Sequence, residues 1–268
     1  MQPAQARRPS KLLVGMVHLP PLPGAPRAAL AVDAIEAQAL AEARTLADAG
    51  FAACLVENFG DAPFHGAGVE PVTVAVMARV VACLRRELPD LTVGVNVLRN
   101  DAAAAVAVAA ATGAAFVRVN VHVGATATDQ GVLEGRAAET LRLRRRLGVA
   151  VAVWADVQVK HGRSLAHEKV ADEARDAVQR GHADALIVTG RGTGWATNVD
   201  DLRSVRALEL GVPLYVGSGV TEQSLGLYLR ESDGIIVGSA LKQGGRAEAP
   251  LDPERARRFA ATARQILD

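Results

Sequence analysis

The sequence predicts a (β/α)8 barrel, an α/β fold of the TIM-barrel type, from three observations. Eight short runs rich in Val, Leu and Ile alternate with segments of helical periodicity. The runs are almost continuously apolar, which is typical of parallel strands covered on both faces. Eight units in 268 residues give about 33 residues per unit, as in this barrel. No linker or change in composition divides the chain, so we predict one domain over residues 1–268.

The strands are assigned to the apolar runs in chain order. They are residues 12–18, 51–58, 91–97, 115–121, 149–155, 183–189, 213–219 and 233–239. The alternative fold is an open, doubly wound sheet, which often carries a G-x-G-x-x-G motif directly after its first strand. No such motif follows residues 12–18, and the barrel is therefore favoured.

Several helices between the strands carry their own start and stop residues. Asp33 with Glu36 three positions later predicts a capping box, and Gly50 predicts the end of the same helix. Asp101 is placed to cap the alanine-rich third helix. Asp252, which precedes a proline, is placed to open the last helix.

The charge balance argues against nucleic acid as a partner. The chain has 30 Lys and Arg residues against 29 Asp and Glu residues. Only 3% of its residues are aromatic, so platforms for stacking bases are few. The arginine-rich helix predicted at residues 137–147 is interpreted as a solvated helix face. We therefore expect no nucleic-acid partner.

The first residues and the cysteines indicate a soluble, cytoplasmic protein. Cys54 and Cys83 both lie in apolar runs, where a buried reduced thiol is usual. Residues 1–10 are polar and are predicted to form a disordered tail. Prolines interrupt the apolar segment that follows, unlike the apolar core of a signal peptide. No apolar run is long enough to span a bilayer, so we expect no membrane insertion.

Polar and titratable residues are concentrated where the predicted strands end. Catalytic groups of this barrel type lie at the carboxyl ends of the strands, so these positions form the candidate site. They are His18, Glu57, Asn58, Asn96, Arg118, Asn120, His122, Asp156, Gln158, Lys160, His161, Thr189, Ser218 and Ser239. Among them, Asn58, Asn96 and Asn120 are predicted to orient the substrate.

Small residues follow the last three predicted strands and suggest a phosphate site. Turns of small residues bring backbone N–H groups together, and a short helix after the eighth strand adds its N-terminal dipole. The predicted phosphate-binding residues are Gly190, Gly192, Gly217, Ser218, Gly219, Gly238 and Ser239. Ordinary tight turns and, around Gly192, a loop without ligand contact are the alternatives.

Two carboxylates are the main candidates for acid–base chemistry. Glu57 ends the second predicted strand, and Asp156 follows the fifth. Carboxylates on separate strands suit proton transfer or stabilisation of an oxocarbenium ion, although each also fits a structural salt bridge. His18, Lys160 and His161 are the remaining predicted catalytic residues, with roles in orienting the substrate. Period-2 alternation places Trp154, Asp156 and Gln158 on one face.

No cofactor is predicted from the residue pattern. The histidines at strand ends lack the HxH, HxxxH or HExxH spacing that supports a metal site within one element. A divalent metal held by histidine and carboxylate from different strands stays an alternative. The partner we expect is a small phosphorylated ligand. A homodimer or a higher oligomer is expected as well, because barrels of this kind often associate.

Five motifs carry a resemblance to a known family. They are GMVHLPPLPGAP at 15–26, VENFGDAPF at 56–64, DVQVKHG at 156–162, GSGVT at 217–221 and DGIIVGSALK at 233–242. The chain resembles the BtpA/SgcQ family over most of its length, and the first motif is long and distinctive. The resemblance implies a phosphate-binding barrel like those of the ribulose-phosphate-binding superfamily. Glu57 also resembles, in position, a glutamate after strand two of the tryptophan synthase α chain.

Three functions follow from the residues and the resemblance together. The first is an enzyme that acts on a small phosphorylated sugar or nucleotide-like molecule, with N-glycosidic cleavage implied by the sugar-metabolism branch of the family. The second is an assembly or stability factor without catalysis, implied by the family's association with photosystem I biogenesis. The third is an aldolase or isomerase acting on a sugar phosphate. The second function predicts an exposed apolar patch and tolerance of Glu57→Gln and Asp156→Asn.

Overall fold

Eight parallel strands close into a barrel in the computed structural model, which describes residues 11–66, 68–190 and 196–267. The eleven described strands are β1 Leu12–His18, β2 Ala53–Glu57, β3 Thr92–Asn96, β4 Phe116–Val119, β5 Ala125–Thr128, β6 Gly131–Glu134, β7 Ala152–Val157, β8 Gly162–Ser164, β9 Ala185–Val188, β10 Leu214–Val216 and β11 Gly234–Val237. The barrel order is β1-β11-β10-β9-β7-β4-β3-β2. The predicted (β/α)8 fold is therefore confirmed. The tail predicted at residues 1–10 lies outside the described residues.

Helices surround the barrel between its strands. They are α1 Val32–Ala49, α2 Pro71–Glu87, α3 Ala102–Thr112, α4 Ala137–Leu147, α5 Val170–Gln179, α6 Val199–Arg206, α7 Leu225–Glu231 and α8 Pro253–Leu267. Short 3-10 turns occur at Phe59–Asp61, Ser239–Leu241 and Gln243–Gly245. None of the described helices is both long and apolar enough to cross a membrane.

Most helix boundaries follow the predicted signals. Gly50 ends α1 with φ +95°, and the Asp101 side chain caps α3 by accepting from the Ala104 N–H. The predicted capping box of α1 is wrong, because the helix begins at Val32 and no side chain caps it. Both carboxylates of the predicted box, Asp33 and Glu36, instead pair with Arg79 of α2.

A small antiparallel sheet stands at the carboxyl end of the barrel, and the sequence analysis did not predict it. Hairpin β5–β6 and strand β8 form this sheet, in the order β6-β5-β8, and we name it the mouth sheet. Its strands come from two loops, one after β4 and one after β7. Leu133 on its inner face packs with Val121 and Val159, so the sheet is anchored by an apolar cluster of its own.

Three aromatic rings fill the barrel below the candidate site. Trp154 stacks between Phe116 and Tyr215, with ring centroids at 3.8 and 4.3 Å. Gly94 makes room for this stack, since a Cβ atom there would overlap the Phe116 ring. Trp154 therefore belongs to the barrel interior.

The proline-rich loop after β1 is fixed by the loop after β2. The Leu19 N–H donates to the Glu57 carbonyl at 2.9 Å, and the Gly60 N–H donates to the Leu19 carbonyl at 3.0 Å. The Leu22 N–H donates to Asp61 Oδ1 at 2.8 Å. Gly60 is required here because a Cβ atom would overlap the backbone of Pro21. These bonds hold the ends of β1 and β2 in a fixed relation.

A buried ion pair ties the turn after β11 to α1. Lys242 Nζ lies 2.8 and 2.7 Å from the two carboxylate oxygens of Glu42, and Glu42 Oε1 also accepts from the Leu251 N–H. Lys242 is only 1% exposed. Because Lys242 directly follows the 3-10 turn Ser239–Leu241, this pair helps to set the position of that turn.

Candidate active site

A cavity of about 570 Å³ lies at the carboxyl ends of the barrel strands. Its floor includes Met16 and Ile236, which belong to the barrel interior. Its wall includes Asp129 and Gln130 from the turn of the mouth sheet. The predicted residues that line it are His18, Glu57, Arg118, Asn120, Lys160, His161, Gly217, Ser218, Gly219, Gly238 and Ser239.

Glu57 is held at one oxygen and faces a histidine at the other. Asn96 Nδ2 donates to Glu57 Oε2 at 2.6 Å, as expected for neighbouring positions on β2 and β3. Glu57 Oε1 lies 3.9 Å from His18 Nε2. The carboxylate is only 7% exposed, and it lines the cavity. Asn96 thus orients Glu57.

His18 is neutral at physiological pH in this environment. Burial lowers the pKa of its imidazole from 6.5 to about 4, an effect that the nearby charge of Lys242 reinforces and that of Glu57 only partly offsets. Its Nδ1 lies 3.0 Å from the Ala247 carbonyl, so Nδ1 carries the proton and donates to that oxygen. The ring stacks on Phe59 with centroids 4.5 Å apart. His18 Nε2 therefore presents a lone pair on the side of Glu57.

Both oxygens of the Asp156 carboxylate accept hydrogen bonds from neighbouring side chains. Arg118 donates to it twice, from Nε at 2.9 Å and from Nη2 at 3.0 Å, and Asn120 Nδ2 donates at 2.7 Å. The Asp156 carboxylate has no exposed surface. Burial opposes the charge of Arg118, but the carboxylate outweighs this effect and raises the pKa of the guanidinium. Asp156 therefore fixes a permanent cation in the cavity wall.

Lys160 contributes an amine of lowered basicity. Burial lowers its pKa from 10.5 to about 8, and the positive charges of Arg118 and Arg99 add to this effect. Among the described residues, none accepts a hydrogen bond from Lys160 Nζ. His161 is mostly exposed, and burial, followed by the charge of Arg99, lowers its pKa as well.

The predicted phosphate turns line one side of the cavity. Gly219 has φ +66°, a conformation that favours glycine. The N–H groups of Gly219, Val220, Ser239 and Ala240 have no backbone acceptor among the described residues. A Cβ atom on Gly217 would lie 3.6 Å from Arg118 Nη2, so the guanidinium stands beside the turn. Unpaired N–H donors next to a cation suit an anion.

Some predicted residues lie elsewhere. Asn58 is buried away from the cavity, where its Oδ1 accepts from the Leu98 N–H at 2.7 Å and its Nδ2 donates to Asp61. Gly190 does not line the cavity, and Gly192 lies outside the described residues. The predicted alternation ends at Gln158, because that residue has φ +54° and its backbone N–H donates to Glu173.

Two arginines of the cavity had no predicted role. Arg118 stood among the strand-end residues, and its charge within the apolar strand β4 was the available signal. Arg99 follows a buried loop and donates to the Lys160 carbonyl. No sequence pattern marked it, because the contact joins loops 61 residues apart. Within the described part of the chain, no group of three His, Cys, Asp or Glu residues is arranged to hold a metal ion.

The fold and the cavity define a (β/α)8 barrel with a charged cavity at the carboxyl ends of its strands. The chain belongs to the BtpA family, whose sequence model matches residues 9–265. It is 42% identical over 247 residues to the photosystem I biogenesis protein BtpA of Synechocystis sp., covering 92% of this chain and 86% of the relative. It is 43% identical over 256 residues to protein TK2179 of Thermococcus kodakarensis, covering 96% of both chains.

Solved structures of the same fold are distant in sequence. Tryptophan synthase of Mycobacterium tuberculosis superposes with a TM-score of 0.60 at 16% identity, covering 96% of this chain and 92% of the other. Phosphoribosyl anthranilate isomerase of Thermus thermophilus gives 0.59 at 12% identity, covering 95% and 100%. 3-Keto-L-gulonate-6-phosphate decarboxylase of Vibrio cholerae gives 0.58 at 15% identity, covering 97% of both. These likenesses establish the fold alone.

Proposed function

We propose that this protein is an enzyme that binds a small phosphorylated carbonyl compound of the sugar-phosphate class and moves a proton beside the carbonyl group. The observation that carries the proposal is the meeting of three features in one cavity. These are the N–H groups in the turns after β10 and β11 that lack a backbone acceptor among the described residues, the Arg118 guanidinium beside them, and the Glu57 carboxylate opposite a neutral histidine.

The phosphate group is proposed to bind at the turns that follow β10 and β11. Gly219 and Ser239 supply N–H donors, and Arg118 supplies charge. Asp156 uses the Nε hydrogen and one Nη2 hydrogen of Arg118, so the second Nη2 hydrogen and the two on Nη1 are left for the ligand. Proteins of the same fold include one whose name states a phosphorylated substrate, 3-keto-L-gulonate-6-phosphate decarboxylase of Vibrio cholerae.

Glu57 is proposed as the base that takes the proton. Asn96 orients its carboxylate, and His18 Nε2 stands close enough to accept a hydrogen bond from a ligand hydroxyl placed between the two groups. A positioned carboxylate in a buried cavity is suited to general base catalysis. His18 stays neutral, so it does not pair with Glu57 and quench its basicity.

N-glycosidic cleavage is the alternative reaction at the same site. It uses two carboxylates that flank the scissile bond. Asp156 accepts three hydrogen bonds and its side chain has no exposed surface. Of the two predicted carboxylates, Glu57 is therefore the one that a ligand can reach. This occupancy favours chemistry beside a carbonyl group over cleavage of a nucleoside.

Thermal unfolding with inorganic phosphate and with dihydroxyacetone phosphate tests the binding step. Both are expected to raise the midpoint, and Ser239→Asp is expected to remove the effect because it adds a negative charge to the anion site. Gln179→Glu adds the same charge on an exposed helix position and serves as the control. Stabilisation by neither compound would refute the proposed function.

Proton transfer is tested separately with the same ketone. Bound dihydroxyacetone phosphate is expected to exchange its carbon-bound hydrogen with heavy water, as followed by mass spectrometry. Glu57→Gln is expected to stop the exchange without loss of phosphate binding. Exchange at an unchanged rate in this variant would exclude Glu57 as the base.

A second candidate function is assembly with another protein. It is favoured by the name of the Synechocystis relative, which refers to photosystem I biogenesis, and by two exposed apolar side chains of the mouth region, Val132 and Leu165. Each is 58% exposed. In a cell that lacks the natural copy, loss of function by Val132→Ser with Leu165→Ser, together with tolerance of Glu57→Gln, would support this candidate.

A further inference from the structure

We propose that Lys160 is a covalent catalytic residue, whose Nζ forms an imine with the carbonyl carbon of a ligand held at the phosphate turns. The inference rests on the proposed function and extends it to a second reacting group. Three observations support it. Lys160 lines the cavity, its backbone is held in place, and none of the described residues accepts a hydrogen bond from its amine.

The backbone around Lys160 is fixed on several sides. Gln158 is held through its N–H by Glu173 and through its carbonyl by Thr189, at 3.2 Å in each case. Val159 is buried in the apolar cluster beneath the mouth sheet. Arg99 donates to the carbonyl of Lys160 itself. The lysine is therefore anchored at its main chain, while its side chain lines the cavity.

The residues on either side of this segment adopt an uncommon conformation. Gln158 has φ +54° and His161 has φ +55°, in the left-handed region that non-glycine residues seldom occupy. Such conformations are maintained where the surrounding contacts determine them, and they are frequent at functional sites.

Burial in the cavity wall is the main effect that favours the neutral form of the amine. The positive charge of Arg118 acts in the same direction, and the charges of Glu57 and Asp156 oppose it. Asp156 is already paired with Arg118, which weakens its attraction for a second cation. A neutral amine in a buried cavity is the nucleophile that imine formation requires.

The step balances with the groups present. The neutral amine of Lys160 attacks the carbonyl carbon, a C–N bond forms, and the carbonyl oxygen takes a proton to give a carbinolamine. The C–O bond then breaks and water leaves, which gives the imine. Glu57 is the group that lines the same cavity and can carry the proton between nitrogen and oxygen. No oxidant or metal is consumed.

Reductive trapping on the full chain tests the proposal. The protein is incubated with glycolaldehyde phosphate and cyanoborohydride, which reduces an imine to a stable secondary amine, and the modified peptide is mapped by mass spectrometry. The chain has only four lysines, Lys11, Lys160, Lys169 and Lys242, so the assignment is direct. Lys169 is exposed and provides the internal reference.

We expect Lys160 to be labelled more than about tenfold faster than Lys169 at pH 8, because burial lowers the pKa of its amine to about 8 and the phosphate group holds the aldehyde in the same cavity. Inorganic phosphate is expected to slow the labelling of Lys160 and leave Lys169 unaffected. Lys169→Met is expected to leave the Lys160 product unchanged. Unphosphorylated glycolaldehyde is expected to show a smaller preference for Lys160, because it lacks the group that binds at the phosphate turns.

Labelling of Lys160 no faster than Lys169, or labelling insensitive to phosphate, would overturn the proposal. That failure differs from failure of the proposed function, which is read from thermal stabilisation by phosphate in the unmodified protein. Stabilisation by phosphate without preferred labelling would leave the proposed function in place and exclude Lys160 as the nucleophile. The mapping is done on the natural chain, so it does not depend on the folding of a Lys160 variant.

Discussion

Arg118 and Asp156 form a two-point ion pair inside the barrel, with the Nε and Nη2 nitrogens at 2.9 and 3.0 Å from the two carboxylate oxygens. Both side chains are almost completely buried. Their strands, β4 and β7, are adjacent although 38 residues separate the two positions. The pair keeps a cation beside the glycine turns without leaving a free charge in the barrel.

Asp156→Asn is expected to destabilise the protein by about 3–5 kcal/mol, because it leaves the buried guanidinium without its counter-charge. Urea unfolding measures the change. The double variant Arg118→Met with Asp156→Leu is expected to lose less, since no charge remains buried. If the double variant were as unstable as the single one, the ion pair would not be the cause.

Glu57→Gln is expected to reduce proton exchange of a bound phosphorylated ketone by about 10²-fold or more, the usual contribution of a general base. The amide keeps the size of the side chain, so circular dichroism should be unchanged. Glu254→Gln replaces an exposed carboxylate of α8 and provides the control. An equal loss of exchange in both variants would contradict a specific role of Glu57.

His18 is expected to make the protein less stable in acid. Its pKa falls from 6.5 to about 4 on folding, so the unfolded chain binds the proton more readily between these values. Stability therefore rises with pH across this window, and about 3 kcal/mol is lost between pH 6.5 and pH 4. In the His18→Gln variant, the free energy of unfolding should rise less steeply with pH between pH 4 and pH 6.5. Replacement of the exposed His182 with Asn should leave the slope unchanged.

Lys160→Met is expected to stabilise the protein at pH 7. The pKa of the lysine falls from 10.5 to about 8 on folding. Below pH 8 the lysine is charged in both states, and burial of this charge lowers the free energy of unfolding by about 3 kcal/mol. Methionine keeps most of the apolar stem. The gain should shrink as the pH rises from 8 to 10.5, and a gain that did not depend on pH would point to packing instead.

The site was largely predictable because apolar runs show where parallel strands end, and catalytic groups of this barrel type lie at those carboxyl ends. This rule placed Glu57, Asp156 and the turns around Gly217 and Gly238 at one end of the barrel. The predicted alternation of side chains failed at Gln158, where the chain leaves the strand with a positive φ. Contacts between distant segments, such as Lys242 with Glu42 across 200 residues, leave no periodic trace in the sequence.

The mouth sheet escaped prediction for a different reason. Its hairpin at residues 125–134 is rich in Ala and Thr and lacks the apolar runs that marked the barrel strands. The hairpin is anchored by Leu133, which packs on Val121 of the same loop and on Val159 of the loop after β7. The alternation predicts Trp154 on the same face as Asp156, and two residues along the strand separate the level of Asp156 from the ring stack in which Trp154 meets Phe116.

The pairing of β5 with β8 joins the loop after β4 to the loop after β7 at three positions, such as Thr126 opposite Ser164. Neither loop can swing outward alone without breaking this ladder. Any outward movement of this side of the cavity therefore shifts two separate segments of the chain together. A change that weakens the ladder in either segment will free the other, even where it touches none of the residues that line the cavity.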